Sequence, residues 1–545
     1  MNHFSPARRG LNLCATAVAA WLACAPGAHA LDLSPPDSDV KVRWDNTFKY
    51  SAGFRVKNRS PEVIAAYNPN LDDGDQNFDK GLISNRLDLL SELDVVYKRD
   101  LGLRISAAAW YDSVYNGDND NPGFGGGAVP NPTSVPPGEF TRATREHHGR
   151  DVEVLDAFVF GKTNLGDMQL TGRLGRHTLL WGESLFFGDN GIAGGQAPVD
   201  LVKLLTVPGS QFKEIIRPVG QASTQLQISP TLSLGAYVQF EWERSRIPAS
   251  GSYLSRADLL DVGGEQLYLP PFLGGPVPRT GDMEAKNSGQ GGVQLRWRSE
   301  ELDTDFGFYA IRFHDKLGTV VLRPGRDYNL AFHEGTRMFG MSASKSIGSF
   351  NVGAEVSVRR NASLVAHGGL VVDVPGTTNN SNDPAYPVGN TAHAQVSVVH
   401  VLERTSLWDG GLLLAEVAWH RRTSVTKNAA ALDPNATRDA TGLRVLFMPT
   451  LYQALPGVDL TIPVGLGYNP KGRSSVIPLF NGGWDKSGDF SIGLSADVQQ
   501  TWKAGINYTH YFGKAGGLLD ENANYSFRQS LKDRNFVSLS VQRTF

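Results

Sequence analysis

VKVRWDNTFKYSAGFRV, residues 40–56, alternates almost without a break. Val40, Val42, Trp44, Phe48, Tyr50, Ala52, Phe54 and Val56 fall on one face of an extended chain, and Lys41, Arg43, Asp45, Thr47, Lys49, Ser51 and Arg55 fall on the other. Side chains of a strand switch faces at every residue, so the stretch predicts a strand with one apolar and one charged face. Only Asn46 interrupts the apolar row. The run is longer than the ~5–6 residues of an ordinary strand. It suits a tilted membrane-barrel strand of ~9–11 residues that extends into water at its ends.

The pattern recurs. Leu87, Leu89, Leu93, Val95 and Tyr97 alternate with Arg86, Asp88, Glu92 and Asp94; Leu234, Ala236, Val238, Phe240 and Trp242 alternate with Ser233, Gln239, Glu241 and Glu243. A soluble sandwich would use shorter strands and turn its charges to bulk water. Several charges per strand opposite large apolar residues predict an all-β transmembrane barrel, apolar outside and polar around a wet lumen. The expected lumen-lining charges are Lys41, Arg43, Lys49, Arg55, Arg86, Asp88, Glu92, Asp94, Glu241 and Glu243. Both signs occur, which predicts weak charge selectivity at most. The plainer reading is internal salt bridging that holds the barrel round.

Tight turns fit at Arg99–Gly102, Asn164–Asp167, Ser229–Thr231, Ser299–Glu301, Gly348–Ser349, Arg404–Gly410, Ala454–Gly457 and Gln499–Gln500. Long polar loops rich in Gly and Pro fall between them: Lys57–Gly81, Asn116–Arg150, Pro248–Lys286 and Ala366–Gly389. Alternating short and long connections are the mark of periplasmic turns and extracellular loops. The count is 18 antiparallel strands, with 16 as the nearest alternative. Tyr97, Tyr452 and Trp502 stand beside short turns, where an aromatic girdle is expected. The last ten residues, FVSLSVQRTF, place Val537, Leu539, Val541 and Phe545 on one face. They resemble the terminal strand that bacterial outer-membrane barrels present to their assembly machinery, with Phe545 as the assembly signal. Arg543 shares that apolar face, where it could snorkel to the interface.

The other end reads as an export signal. Arg8 and Arg9 precede a small, apolar run from Leu11 to Ala25, and Ala28-His29-Ala30 fits a cleavage site. Residues 1–30 are therefore expected to be a cleaved signal peptide, with 31–545 a single barrel in the outer membrane of a Gram-negative cell. An uncleaved anchor is the alternative. A lipoprotein site at Cys24 fits less well, because Leu22 stands one place too close to it. Cys14 and Cys24 are the only cysteines, so the mature chain has neither disulfides nor thiolate chemistry. The formal net charge is -3, and removal of Arg8 and Arg9 makes the remainder more acidic, which argues against nucleic acid as a partner. Mean hydropathy is -0.25, and no later run approaches the ~20 apolar residues of a spanning helix.

One segment does not read as strand. Trp181 to Arg217, WGESLFFGDNGIAGGQAPVDLVKLLTVPGSQFKEIIR, lies between strands expected at Met168–Leu180 and Ile216–Ile228. It is too apolar for a plain surface loop, and loops beyond ~12–15 residues are usually functional or disordered. Ala197–Leu205 can form about two helical turns, with Pro198 early and Asp200 in the first turn. The expectation is a constriction or plug inside the barrel, offering Glu183, Asp189, Asp200, Lys203, Lys213, Glu214 and Arg217 to the pore. The alternative is packing in the cap outside the membrane.

Three stretches carry a family likeness: NLDDGDQNFDKG (70–81), LGRHTLLWGES (174–184) and PVDLVKLLTVPGSQFKE (198–214). Together they resemble the proteobacterial family catalogued as domain of unknown function thirteen-oh-two, over nearly all of the mature chain. The resemblance implies an outer-membrane barrel. It also implies a genetic setting beside a lipoprotein-sorting-like periplasmic protein and an inner-membrane exporter of the resistance-nodulation-division type. That setting suggests traffic of a lipid-like molecule, but fold and association do not supply mechanism. No catalytic residues carry over.

Candidate chemistry elsewhere is sparse. Asp72, Asp73, Asp75, Asn77 and Asp79 crowd around Gly74, but an EF-hand needs a glutamate at position 12 of its loop. That position is Ser84 or Arg86, so a solvated acidic loop with no metal is expected, and divalent ions bridging the loop to surface lipid phosphates are the alternative. Glu146-His147-His148 reads as an exposed loop whose adjacent histidines point apart. No Gly-x-Ser-x-Gly elbow is present, and Gly123, Gly125, Gly126 and Gly127 lie in a Pro-rich loop rather than between strand and helix. No catalytic residue and no cofactor is expected. The leading expectation is a transport barrel for a hydrophobic or amphiphilic compound. Its partners would be outer-membrane lipids, the assembly machinery, and a periplasmic lipoprotein with its exporter. The alternatives are a porin for small solutes, an outer-membrane enzyme, and a docking barrel for periplasmic proteins.

Overall fold

The computed structural model describes residues 31–35, 38–64, 68–207 and 215–545. The expected signal peptide, and Lys213 and Glu214 of the inserted segment, lie outside the described residues. Eighteen antiparallel strands close into one barrel. They are β1 (Val40–Arg55), β2 (Gly81–Tyr97), β3 (Leu101–Asp112), β4 (Arg150–Leu165), β5 (Met168–His177) and β6 (Val219–Ser229). There follow β7 (Leu232–Gln239), β8 (Gln290–Ser299), β9 (Thr304–Phe313), β10 (Thr336–Ile347), β11 (Phe350–Ser363) and β12 (Val388–Val401). The last are β13 (Gly410–Lys427), β14 (Asp439–Leu455), β15 (Val458–Thr461 and Val464–Gly472), β16 (Gly488–Val498), β17 (Trp502–Phe512) and β18 (Phe536–Thr544). Each pairs with its chain neighbours, and β18 returns to β1 from Thr47↔Thr544 to Arg55↔Phe536. Closure leaves no open sheet edge, which the hydrocarbon of a bilayer would not tolerate. No helix among the described residues is long and apolar enough to cross a membrane.

Strand β11 shows which face is which. Val356 and Val358 are 52% and 47% exposed, while Glu355 and Ser357, which alternate with them, are 3% and 7% exposed. The exposed apolar rows form the outer surface of the barrel, and the buried polar rows face inward. The short connections fall where the turn residues sit. Two-residue turns at Gly166–Asp167 and Gly348–Ser349 open on glycines with φ of 64° and 60°, the sign that matches the twist of paired strands. At the opposite end the long connections pack on one another. Phe78, Tyr115, Phe140, Tyr253, Trp484 and Leu531 bring five of them into one apolar cluster. A second cluster joins Trp242, Leu259, Leu267, Tyr328 and Phe332.

That cap corrects several expectations. Strand β5 stops at His177, not Leu180, and β7 stops at Gln239, so Glu241 and Glu243 lie beyond the ladder. The alternation continues past Gln239, but Trp242 is drawn into the loop cluster against Phe332, 4.9 Å away. Its backbone N–H goes to Asn287 instead of a strand. Residues 145–149 form one turn of π-helix, not an extended loop. His147 bonds to the Ile247 carbonyl, and His148 stacks on Tyr115 and accepts from Ala249 N–H. The acidic run is not solvated either: Asp73 and Asp75 are 2% and 1% exposed, beneath the other loops.

Arg55 ends β1 inside this cap rather than in open lumen. Its guanidinium lies 2.6 Å from Asp75 and 3.5 Å from Asp533, and donates to the carbonyls of Lys57 and Phe78. Removing one partner of a buried ion pair strands the other charge, at about 3–5 kcal/mol. Arg55→Met is therefore expected to destabilise the cap by that amount, measured as faster proteolysis of the 57–80 and 513–535 connections at an unchanged barrel.

Candidate functional site

Stretches of the inward rows of β10 to β14 are covered rather than open to the lumen. They meet residues 178–200 of the inserted segment, which run across them. Trp181 packs with Tyr237, Tyr309, Ile311 and Met338, side chains from β7, β9 and β10. Phe187 packs with Ala418, Ala440 and Phe480. Two lone carboxylates hold the backbone in between. Glu355 on β11 accepts from the N–H groups of Glu183 and Ile192. Glu416 on β13 accepts from Leu185, Phe186 and Phe187 at 3.2, 2.5 and 2.9 Å. Arg359, two positions on from Ser357, donates to the carbonyls of Asp189, Asn190 and Gly191. Asn190 is bracketed by His393 and His420, whose Nδ1 atoms lie 3.1 and 3.0 Å from its Oδ1.

The far end of the segment is held by ion pairs. Helix α1, Leu201–Thr206, is shorter and later than the expected Ala197–Leu205, because Val199 bridges to Ile216 and Asp200 takes the N-cap position. Asp200 accepts from Lys203 N–H at 2.9 Å and pairs with Arg246 at 3.1 Å. Glu153 on β4 gathers Lys203, Arg217 and Arg246 at 3.2, 3.3 and 2.8 Å. Arg217 also reaches Glu243, and Arg176 reaches both Glu241 and Glu243. Arg86, Lys203 and Arg246 stand over the Trp110 ring at 5.1, 5.4 and 5.3 Å, an arrangement that favours cations on an aromatic face.

The structure thus brings Asp200, Lys203, Arg217, Glu241 and Glu243 into one network. Glu183 and Asp189 enter the other through their backbone atoms. The remaining charges serve the wall. Arg86 pairs with Asp88 at 2.8 Å, and Arg104 bridges Glu92, Asp94 and Asp156. Arg43 pairs with Asp45 near the short-turn end, Lys41 is exposed beside it, and Lys49 is buried. Glu153, Glu355, Arg359, Asn190, His393, His420 and Glu416 were not foreseen. Glu416 carried a signal, as the single charge in LLLAEVAWH (412–420).

Beside the segment lies a cavity of 2520 Å³, well beyond the ~300–1,000 Å³ of an ordinary ligand pocket. The segment supplies Leu180, Phe186, Leu201, Leu204 and Leu205 to it. The cap supplies Leu254, Leu259, Leu267, Val320, Leu364, Ile477, Trp484 and Leu519. The opposite side carries Ser491 and Ser495 of β16, Asn507 of β17, and Ser538 and Ser540 of β18, with the ion-paired Arg444 and Asp489 beside them, and Arg256, Lys316 and Arg359 also reach the cavity.

Solved structures similar to this chain include OccAB3 of Acinetobacter baumannii, 9% identical, covering 92% of this chain and 99% of that one at a TM-score of 0.41. The outer membrane channel DcaP of Acinetobacter baumannii is 10% identical over 94% and 99% of the two chains, with a TM-score of 0.38. OpdK of Pseudomonas aeruginosa, solved with vanillate, is 9% identical over 92% and 98%, at 0.39. No curated protein matches the sequence. The family described as protein of unknown function DUF1302 matches residues 11–545, and the chain belongs to that family.

Proposed function

We propose that this barrel is a conduit across the outer membrane for a hydrophobic or amphiphilic compound, narrowed by the segment from Trp181 to Arg217. The observation that carries the reading is the cavity, with leucine and aromatic side chains on the segment and cap and a hydroxyl-rich wall opposite. Such a surface suits a molecule with an apolar body and a polar edge. Charges of both signs reach the same cavity, among them Arg256, Lys316, Arg359, Asp189 and Asp315, and this mixture argues against selection by charge. Delivery by a periplasmic lipoprotein and a resistance-nodulation-division exporter is part of the proposal and is supported by the family resemblance alone.

The test uses the barrel in lipid nanodiscs and a dodecyl amphiphile brominated along its chain. Trp484 lines the cavity, so saturable quenching that shrinks in Trp484→Phe is expected. Quenching that rises without saturation and is unchanged in Trp484→Phe would reject the apolar cargo. Steady conductance indifferent to the amphiphile would instead mark a porin for small hydrophilic solutes.

A further inference from the structure

The cap holds two groups of buried acids with different partners. Asp75 and Asp533 face two arginines. Arg55 touches both, and Arg534 lies 3.6 Å from Asp75 while donating to the carbonyls of Tyr253 and Ser255. Next to them, Asp72, Asp73 and Asp258 each place a carboxylate oxygen within 4.8 Å of the others. Among the described residues no lysine or arginine forms an ion pair with any of the three. Asp73 and Asp258 are 2% and 1% exposed. Their known hydrogen bonds do not use the whole donor set. Asp73 accepts from Asn131 N–H and Asn121 Nδ2, and Asp258 Oδ2 accepts from Asp73 N–H. Asp258 Oδ1 and Asp72 Oδ1 are buried without a hydrogen-bond partner, as is Oδ1 of Asn131, whose own N–H touches Asp73.

An unpaired buried carboxylate is costly, and three together repel one another. Protons are one remedy: burial raises Asp72 to about 6 and Asp258 to about 7. A cation is the other. Arg534 stands near enough to favour the charged forms of Asp72 and Asp258, but its ion pair is with Asp75, so the orphaned oxygens and the burial of Asp258 point to the cation. We propose that Asp72, Asp73 and Asp258 bind a divalent cation, calcium by its chemistry, that pins the 57–80 connection to the 240–289 connection over the mouth of the barrel. Calcium takes about 6–8 oxygen ligands at about 2.3–2.6 Å in a pliable geometry, so oxygens up to about 5 Å apart can share one ion. Magnesium demands a tighter octahedron and keeps more water. The ligands come from two connections, which is why no linear calcium-loop spacing exists in the sequence.

The experiment uses the full mature barrel, refolded in detergent, stripped with chelator, loaded with calcium chloride and desalted. Folding of each variant is checked by its heat-dependent gel mobility. About one calcium per chain is expected to remain, with slower protease cutting in 57–80 and 240–289 than without the ion. Asp258→Asn, or Asp72→Asn if the first does not fold, is expected to lower retained calcium by roughly tenfold or more. Asp79→Asn, in the same connection but with an exposed carboxylate, is expected to keep it. Retention equal in Asp258→Asn and the parent, or no retention in the parent, would overturn the site.

Discussion

Replacing Glu355 and Glu416 together by alanine is expected to raise passage through the barrel more than tenfold. Each carboxylate accepts from several backbone N–H groups of the inserted segment. Hydrogen bonds to a charged group contribute about 1.5–3 kcal/mol each, and about 1.4 kcal/mol shifts a population tenfold. Losing both acceptors leaves those N–H groups unsatisfied where they lie, so the seated arrangement loses its advantage over an unseated one. The measurement is the swelling rate of liposomes carrying the barrel in an impermeant sugar. Glu355→Gln with Glu416→Gln keeps an uncharged acceptor and is expected to fall between parent and alanine variant. Equal rates for all three would mean that the segment does not limit passage.

The second large effect concerns assembly. Phe545 closes the seam between the ends of the barrel: its N–H and carbonyl exchange hydrogen bonds with Asn46 at 2.9 and 2.7 Å. Its ring stacks on Phe48 with centroids 5.5 Å apart and planes at 13°. The Arg543 guanidinium lies 4.9 Å over Trp502 and 5.8 Å over Phe545, a place on the apolar face that aromatic partners make tolerable. Deleting Phe545 removes the last rung where first and last strands meet, and with it the ring stacked on Phe48. A fall of about tenfold in heat-modifiable barrel in the outer membrane is expected, with Phe545→Trp close to the parent, since an aromatic pair adds about 0.5–1.5 kcal/mol beyond its buried area. Equal amounts of assembled barrel with and without Phe545 would refute this role.

The barrel was legible because its determinant is local. A two-residue period from Val40 to Val56 needs no distant partner to be seen, and turn residues such as Gly166 and Gly348 announce themselves. Periodicity failed where it outlived the ladder: Phe240 and Trp242 keep the alternation, yet Trp242 belongs to the cap. The site was less legible, because its contacts cross great distances in the chain. Glu416 holds N–H groups some 230 positions away, and a carboxylate that binds backbone has no complementary side chain to betray it. The acidic run 72–79 looked solvated because its cover is remote: Asp258 meets Asp73 across 185 positions. Opposite charges in the inserted segment were visible, but Glu153, which gathers three of the network's cations, sits in an ordinary alternating strand.

The most direct test of the conduit is conductance in a planar lipid bilayer, comparing the parent barrel with one whose residues 181–217 are replaced by a short glycine-serine linker between β5 and β6. The parent is expected to be silent or nearly so and the replacement to conduct steadily, at a level fitting a lumen widened by the lost segment. A parent that already conducts steadily, with no change on replacement, would contradict the narrowed conduit.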